Sequence, residues 1–463
     1  MNVHLNVCKG YNAALKTSCF SRHQVTGKSS FRPGYPVHAR IVVTPSKAKL
    51  STRVAFSVPE KNALPAKARG ETPSVQRQAV QHFRKLAAAA KRIKRDSDRF
   101  AKARQPTPKK LLAMIGLATD ASGAVKLAGG SVDALGAQGL ADLLWALAAF
   151  GGRSYFKDEM EAVLEVLDFQ QQKFTMSGLL DVTWALASAA HWTPKLADLA
   201  AAVRERGGLK TIKKNYQFTG LLWSFAQFDH NPGLFCEVLP PKKVAEFETH
   251  QLITACWSLC VLQETQSEVF KSLWRELGTR ELPATPMKDA IACQLCQIKM
   301  EFRGKEDLLL GTDVHAQILE KADRCWKHDL RTTDFHMSAQ HAETCRALKG
   351  MGLEHIYEDV STGYAVDIAI PELRIAVEID GPTHFARNAK RRLGPSIMKH
   401  RQLDDMGWHV FPLTAEDWES AESSAAALQK LRDFIRMNSL PGPVTNCRAV
   451  FSPGDVKEGN CDA

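Results

Sequence analysis

The chain has 463 residues and carries 61 Lys and Arg against 50 Asp and Glu, a formal net charge of +11. That length allows two or three domains with a sizeable core, and its eleven cysteines, an odd number scattered along the chain, read as reduced thiols rather than a disulfide framework. The longest strongly apolar run, residues 140–150, contains Asp142 and falls far short of the roughly 20 residues that span a bilayer, so no membrane-spanning segment is expected.

The charge is unevenly placed. Residues 1–59 hold nine Lys/Arg and no acid, and residues 77–110 hold twelve Lys/Arg with only Asp96 and Asp98. Everything else holds 40 basic and 48 acidic residues, so the basic balance belongs to the N-terminal quarter and does not argue that the body binds nucleic acid. Residues 1–70, rich in Lys, Arg, Ser and Thr and without a secretory apolar core, have the composition of an organelle transit peptide, as suited to a mitochondrion as to a plastid. A disordered basic tail is the alternative. Residues 71–110 read as a basic helix and linker, helical over 77–104 and closed by Pro106 and Pro108. Such a run serves as a solvated face, an import signal or a phosphate contact.

From 111 to 310 the sequence repeats itself. Leu143-Leu144-Trp145-Ala146-Leu147-Ala148, Val182-Thr183-Trp184-Ala185-Leu186-Ala187, Leu221-Leu222-Trp223-Ser224-Phe225-Ala226 and Ala255-Cys256-Trp257-Ser258-Leu259-Cys260 align without gaps. Their tryptophans lie 39, 39 and 34 residues apart, and a degenerate copy from Cys293 to Cys296 follows 36 residues later. Amphipathic helices over 156–167 and 194–206 fall between them, so each period of about 38 residues is a helix pair. One pair cannot bury its apolar face alone, and stacking the pairs predicts an α-solenoid. The tryptophans read as core rather than base-stacking platforms. Cys256, Cys260, Cys293 and Cys296 stand where other copies have small or core residues, and read as packing rather than zinc ligands. These segments resemble octotricopeptide repeats and the helical repeat region of FAST-kinase-like proteins.

Residues 311–340 read as a connecting helix (314–325) and loop, and a helix over 338–349, stopped by Gly350 and Gly352, leads into a C-terminal domain at 341–437 with its core at 357–418. A strand at 353–359 and a turn at Ser361-Thr362-Gly363 precede two adjacent strands, 364–370 and 374–379, on either side of Pro371-Glu372. A strand at 408–413 and an amphipathic helix to 437 close the domain, and 438–463 reads as a disordered tail. With a period of two, Val366, Ile368 and Ile370 share one face and Ala365, Asp367 and Ala369 the other; Ile375, Val377 and Ile379 oppose Ala376, Glu378 and Asp380. Three carboxylates thus converge on one side of the sheet. Their repulsion is relieved only by a cation or a shared proton, which suggests a metal site.

The run VDIAIPELRIAVEIDGPTHF, a basic stretch, and then MKHRQLDDMGWHVFPLTAEDW resemble the RAP domain of organellar RNA-binding proteins, itself similar to the PD-(D/E)XK nuclease fold of very-short-patch repair endonucleases. The resemblance implies a mixed architecture, an N-terminal α-solenoid of helix-pair repeats followed by a small α/β domain of that fold. It puts Asp367 and Glu378 at the two acids of the nuclease motif, Asp380 where many nucleases carry lysine, and His384 where very-short-patch relatives carry a histidine. Two functions follow. In the first the protein binds organellar RNA without catalysis and without a cofactor, in ribonucleoprotein complexes or granules, and acts in processing, maturation or stability of mitochondrial or plastid mRNA or rRNA. Arg387, Lys390, Arg391, Arg392, Lys399 and Arg401, with no acid between 381 and 403, would then meet phosphate. In the second, Asp367, Glu378 and Asp380 hold Mg²⁺ or Mn²⁺ for endoribonuclease chemistry, assisted by His384 and Lys399. A third possibility is structural, the carboxylates pairing with Arg391 or Lys399. The missing motif lysine favours binding over catalysis.

Overall fold

The computed structural model describes residues 117–119, 125–127, 136–151, 156–235, 239–280, 287, 289–309, 311–333, 335 and 337–439. The expected transit peptide and basic helix, and all but the first two residues of the expected tail, lie outside them. Strands β1 (Leu117–Thr119) and β2 (Val125–Leu127), which the sequence pattern did not reveal, pair antiparallel.

The tryptophan segments form helices α1 (Ala137–Gly151), α3 (Met176–Ala189), α5 (Asn215–Gln227) and α7 (Thr249–Val261), and the degenerate copy forms α9 (Asp289–Glu301). Each packs against the next in one continuous row. The second helices are α2 (Lys157–Glu165), α4 (Leu196–Glu205), a short α6 (Pro241–Ala245), α8 (Glu268–Leu277) and α10 (Asp313–Thr332). Helix α10 lies along α9 and buries Ile318, Leu319, Ala322, Trp326 and Leu330. What reads in the sequence as a connector completes the last helix pair.

Local chemistry sets the helix ends. Thr175 accepts the Gly178 N–H at the start of α3, and Ser267 accepts the Phe270 N–H at the start of α8, satisfying amides that have no partner within the helix. Trp223 and Trp257 are 1% and 0% exposed, as a core role requires, whereas Trp184 is half-buried and stacks on Trp145 with centroids 5.8 Å apart. Cys256, Cys260, Cys293 and Cys296 are buried thiols in the same core, none of them in a disulfide. Burial pushes the Cys296 thiol up to about 12, so it stays protonated, as a packing residue should.

In the C-terminal domain, α11 (Ala339–Gly350) precedes a four-stranded mixed sheet of β3 (Ile356–Asp359), β4 (Val366–Ile370), β5 (Ile375–Asp380) and β6 (His409–Thr414). The order is β3-β4-β5-β6, antiparallel except for the parallel β5–β6 pair, which requires a crossover. Helix α12 (Gly394–Asp405) supplies it, and α13 (Ala421–Ser439) ends the domain. Ile368, Ile370, Ile375, Val377 and Leu413 pack against Leu348 of α11 and Ala427, Leu431 and Ile435 of α13. The opposite face, Ala369 and Ala376, meets Leu403, Met406 and Trp408.

The alternation expected from the sequence fails at the start of β4. Val366 packs with Tyr364, Ala369 and Ala376, not with Ile368 and Ile370. Glu358, opposite Asp367 in register, has φ 51°, a left-handed conformation that interrupts regular pairing, and the Asp367 carboxylate takes the Ile379 N–H at 2.6 Å.

Residues 386–402 lie across the C-terminal ends of the repeat helices. The Arg387 N–H donates to the Ala190 carbonyl at 2.8 Å, and the Asn388 amide forms two 2.8 Å bonds with the backbone of Trp192. Gly394 approaches so closely that a Cβ there would overlap the Ala226 carbonyl oxygen. Arg401 donates to the Cys260 carbonyl at 2.9 Å, and Gln402 to that of Gln297 at 3.0 Å. Four successive repeats are thereby held by one segment.

Candidate functional site

Glu378 and Asp380 project from β5 toward α12 and the segment just before it, which return one cation each. Lys399 Nζ lies 2.5 Å from Glu378 Oε2 and 2.8 Å from the Ala365 carbonyl, and Arg392 pairs with Asp380. Asp380 also lies 3.3 Å from His384 Nδ1, which meets the Ser396 hydroxyl at 2.9 Å, while Arg392 meets His400 Nε2 at 3.2 Å. Glu378 and Asp380 are each 2% exposed. Charges removed from water in this way persist only when paired and hydrogen-bonded.

Asp367 has a different nearest side-chain partner. Its carboxylate lies 3.6 Å from Nε2 of His341 on α11, and His341, buried edge-on against Tyr357, meets the Ser338 hydroxyl at 2.5 Å through Nδ1. His341, Glu358 and Asp367 each offer a ligand atom within 4.8 Å of the others, and Glu378, Asp380 and His400 form a second such group. The three carboxylates that strict alternation would gather thus take different nearest side-chain partners, although the Asp367 charge still acts on Glu378 and Lys399.

The protonation states follow from burial and neighbours. Burial, reinforced by the charges of Asp367 and Asp380 and opposed by Lys399, pushes Glu378 up to about 8. Burial alone would lower Lys399, but the charges of Glu378 and Asp367 outweigh it and hold the ammonium above its usual range. Burial would raise Asp367, yet the adjacent His341, the Lys399 charge and the Ile379 N–H bring it below the usual carboxylate range. Burial depresses His384, and takes His400 to about 4 with help from Arg392. Burial thus works against the charged forms of Glu378, His384 and His400, while the surroundings of Asp367 and Lys399 favour theirs. One Glu378 oxygen, Oε1, is buried with no hydrogen-bond partner.

The six basic residues expected to face phosphate are placed differently from one another. Lys390 is exposed and pairs with Glu416 at 2.7 Å. The Arg391 guanidinium sits 5.5 Å over the Trp192 ring, and Arg392 packs 5.1 Å over Phe385 while holding Asp380. Lys399 is half-buried against Glu378, and Arg401 pairs with Glu301 of α9 at 2.9 Å. Arg387 anchors the segment through its backbone. Sequence reasoning missed His341, Glu358, Ser396 and His400. For His400, its place beside Lys399 on one helix was a usable signal; nothing local ties residue 341 to residue 367.

Comparison with known proteins bears on residues inside this geometry. Residues 377–434 match the model of the RAP domain family, a span that contains Glu378, Asp380, His384, Lys399 and the basic segment but not Asp367. The chain is similar to a "RAP domain-containing protein, chloroplastic" of Oryza sativa subsp. japonica, 24% identical over 350 residues, which is 64% of this chain and 52% of the relative. The chain thus spans about half of that relative's length. Residues 377–434 are a RAP domain, and it is seated on a stack of helical repeats.

Proposed function

We propose that the protein is an organellar RNA-binding factor that acts in the processing, maturation or stability of mitochondrial or plastid transcripts, and that its RAP domain binds without cutting. The observation that carries the non-catalytic reading is the pairing of the buried carboxylates with the chain's own cations: Lys399 holds Glu378 and Arg392 holds Asp380. Lys399 and Arg392 already neutralise carboxylates that a Mg²⁺ or Mn²⁺ ion would use, and Asp367 faces His341, which supports binding over metal chemistry. The RNA reading is supported by the RAP match over residues 377–434 and by a chloroplastic RAP-bearing relative, joined to an extended repeat surface of the kind that binds long ligands.

The second reading, a metal-dependent endoribonuclease similar to the PD-(D/E)XK enzymes, is favoured by one observation. Glu378 Oε1 is buried and unpartnered beside Asp380 and His400. The test is incubation of the full chain with labelled organellar RNA, with and without Mg²⁺ or Mn²⁺, for the parent, Asp367→Asn and Glu378→Gln. Binding without cleavage in all three is expected. Metal-dependent cleavage by the parent that both variants lose would establish the nuclease instead.

A further inference from the structure

The basic segment of the RAP domain is engaged with the repeats. Arg391 packs on Trp192 and Arg401 on Glu301 and the Cys260 carbonyl, and helix α12 covers parts of α5 and α7. Lys399 and Arg401 are thereby occupied while Arg387, Lys390 and Arg391 stay exposed, so a polyanion that lies along the molecule can also use cations on the repeats. The repeats carry an unassigned group of them at the joint between α4 and α5, where Arg204, Arg206, Lys210, Lys213 and Lys214 stand against the single acid Glu205. Lys242 joins them from α6, because its neighbour Lys243 donates to the carbonyls of Leu209 at 3.1 Å and Ile212 at 2.7 Å. All six are exposed.

Packing does not require this charge. The matching joint between α2 and α3 carries Glu165, Asp168 and Lys173, and that between α6 and α7 carries Glu246 and Glu248 with no Lys or Arg. These two equivalent turns are thus built with an acidic balance, whereas this one concentrates positive charge, at a cost in self-repulsion that a polyanion would relieve. The exposed large apolar side chains among the described residues are Leu308, Met337, Ile356 and Met437; none belongs to the cluster, so nothing there would enter a lipid bilayer. The cluster is also free while the RAP domain is seated. Lys213 and Lys214 precede α5, whereas Gly394 meets Ala226 at its far end, about 18 Å away at 1.5 Å per residue.

We infer that Arg204, Arg206, Lys210, Lys213, Lys214 and Lys242 form a phosphate-binding patch that holds the backbone of single-stranded RNA on the second and third repeats, an inference that rests on the RNA-binding reading above. The patch supplies affinity and position, not sequence choice.

The experiment compares the full parent chain with the quadruple variant Lys210→Gln, Lys213→Gln, Lys214→Gln and Lys242→Gln. Both are titrated with a labelled oligouridylate and with a pool of random single-stranded RNA across a salt series. The slope of log affinity against log salt should fall by up to about 0.7 for each lost contact, and affinity by about tenfold or more at low salt. The thermal midpoint should be unchanged, since the side chains are exposed. A parent that binds RNA and a variant with the same slope would remove the patch and leave the RNA reading standing. A parent that binds neither RNA would overturn both. Loss of anionic vesicle binding in the variant, with RNA affinity intact, would make the patch a membrane contact and overturn the proposal.

Discussion

At the scale of single residues, Glu378 is the group whose environment most contradicts its ordinary chemistry. A carboxyl held at about 8 when folded, against 4.5 as its usual value, favours the folded state while protonated. Its contribution is complete below pH 4.5 and is lost as pH rises through about 8, with a slope of at most about 1.4 kcal/mol per pH unit. Glu378→Gln removes that dependence. The melting temperature of the variant, relative to the parent, should rise between pH 5 and pH 8, and a difference that stays constant with pH would show that Glu378 is ionised throughout. Asp367 acts in the opposite window: its lowered pKa contributes stability above the usual carboxylate value and loses it in acid. The sequence disclosed that Asp367, Glu378 and Asp380 are carboxylates on neighbouring strands and that Lys399 lies near. Their different partners, His341 for Asp367 and Lys399 and Arg392 for the others, were not legible, because they depend on contacts between distant segments, and the left-handed Glu358 opposite Asp367, with φ 51°, has no local signature in a Tyr-Glu-Asp run.

At the scale of elements, the repeat was the most legible feature, since a buried aromatic recurring every 34 to 39 residues can satisfy a core only if the copies stack. Equal spacing nevertheless conceals unequal burial. Trp223→Ala or Trp257→Ala should cost about 3 to 5 kcal/mol, as deletion of a fully buried aromatic does, and Trp184→Ala clearly less, because that ring is half-buried against Trp145. Urea denaturation of the three variants checks the order, and equal losses would mean that Trp184 is as enclosed as the others. The joints between pairs use a device that periodicity cannot display. Lys195 donates to the Leu164 and Leu167 carbonyls, both at 2.6 Å, and Lys243 does the same to Leu209 and Ile212 one repeat later. Each ammonium satisfies carbonyls at or just beyond a helix end. Lys243→Met, which keeps the aliphatic stem, should therefore destabilise by about 1 to 3 kcal/mol, more than removal of an exposed lysine such as Lys210. A loss no larger than that of Lys210→Met would show that water replaces the ammonium at no cost.

At the scale of the whole molecule, the RAP domain and the repeats are joined by backbone as much as by side chains, and this is the level at which the sequence was least informative. A stretch without acids between 381 and 403 is chemically suited to phosphate, yet it is equally suited to the negative ends of helices, and the segment lies across four of them. Arg401 and Gln402 meet α7 and α9 through the Cys260 and Gln297 carbonyls and through Glu301. Gly394 is the tightest point, where a single methyl would overlap the Ala226 carbonyl oxygen. Because neighbouring backbone cannot yield as a flexible side chain can, Gly394→Ala should lift the start of α12 from α5 while leaving the sheet of the RAP domain intact. The expected result is hydrogen exchange that accelerates across 386–402 and at the ends of α3, α5 and α7, with protection of β4 and β5 retained. In calorimetry a single transition should separate into two, as the units lose their coupling. A variant that exchanges and melts like the parent would mean that the two units are not held together at Gly394, and that the contacts at Asn388 and Arg401 carry the junction alone.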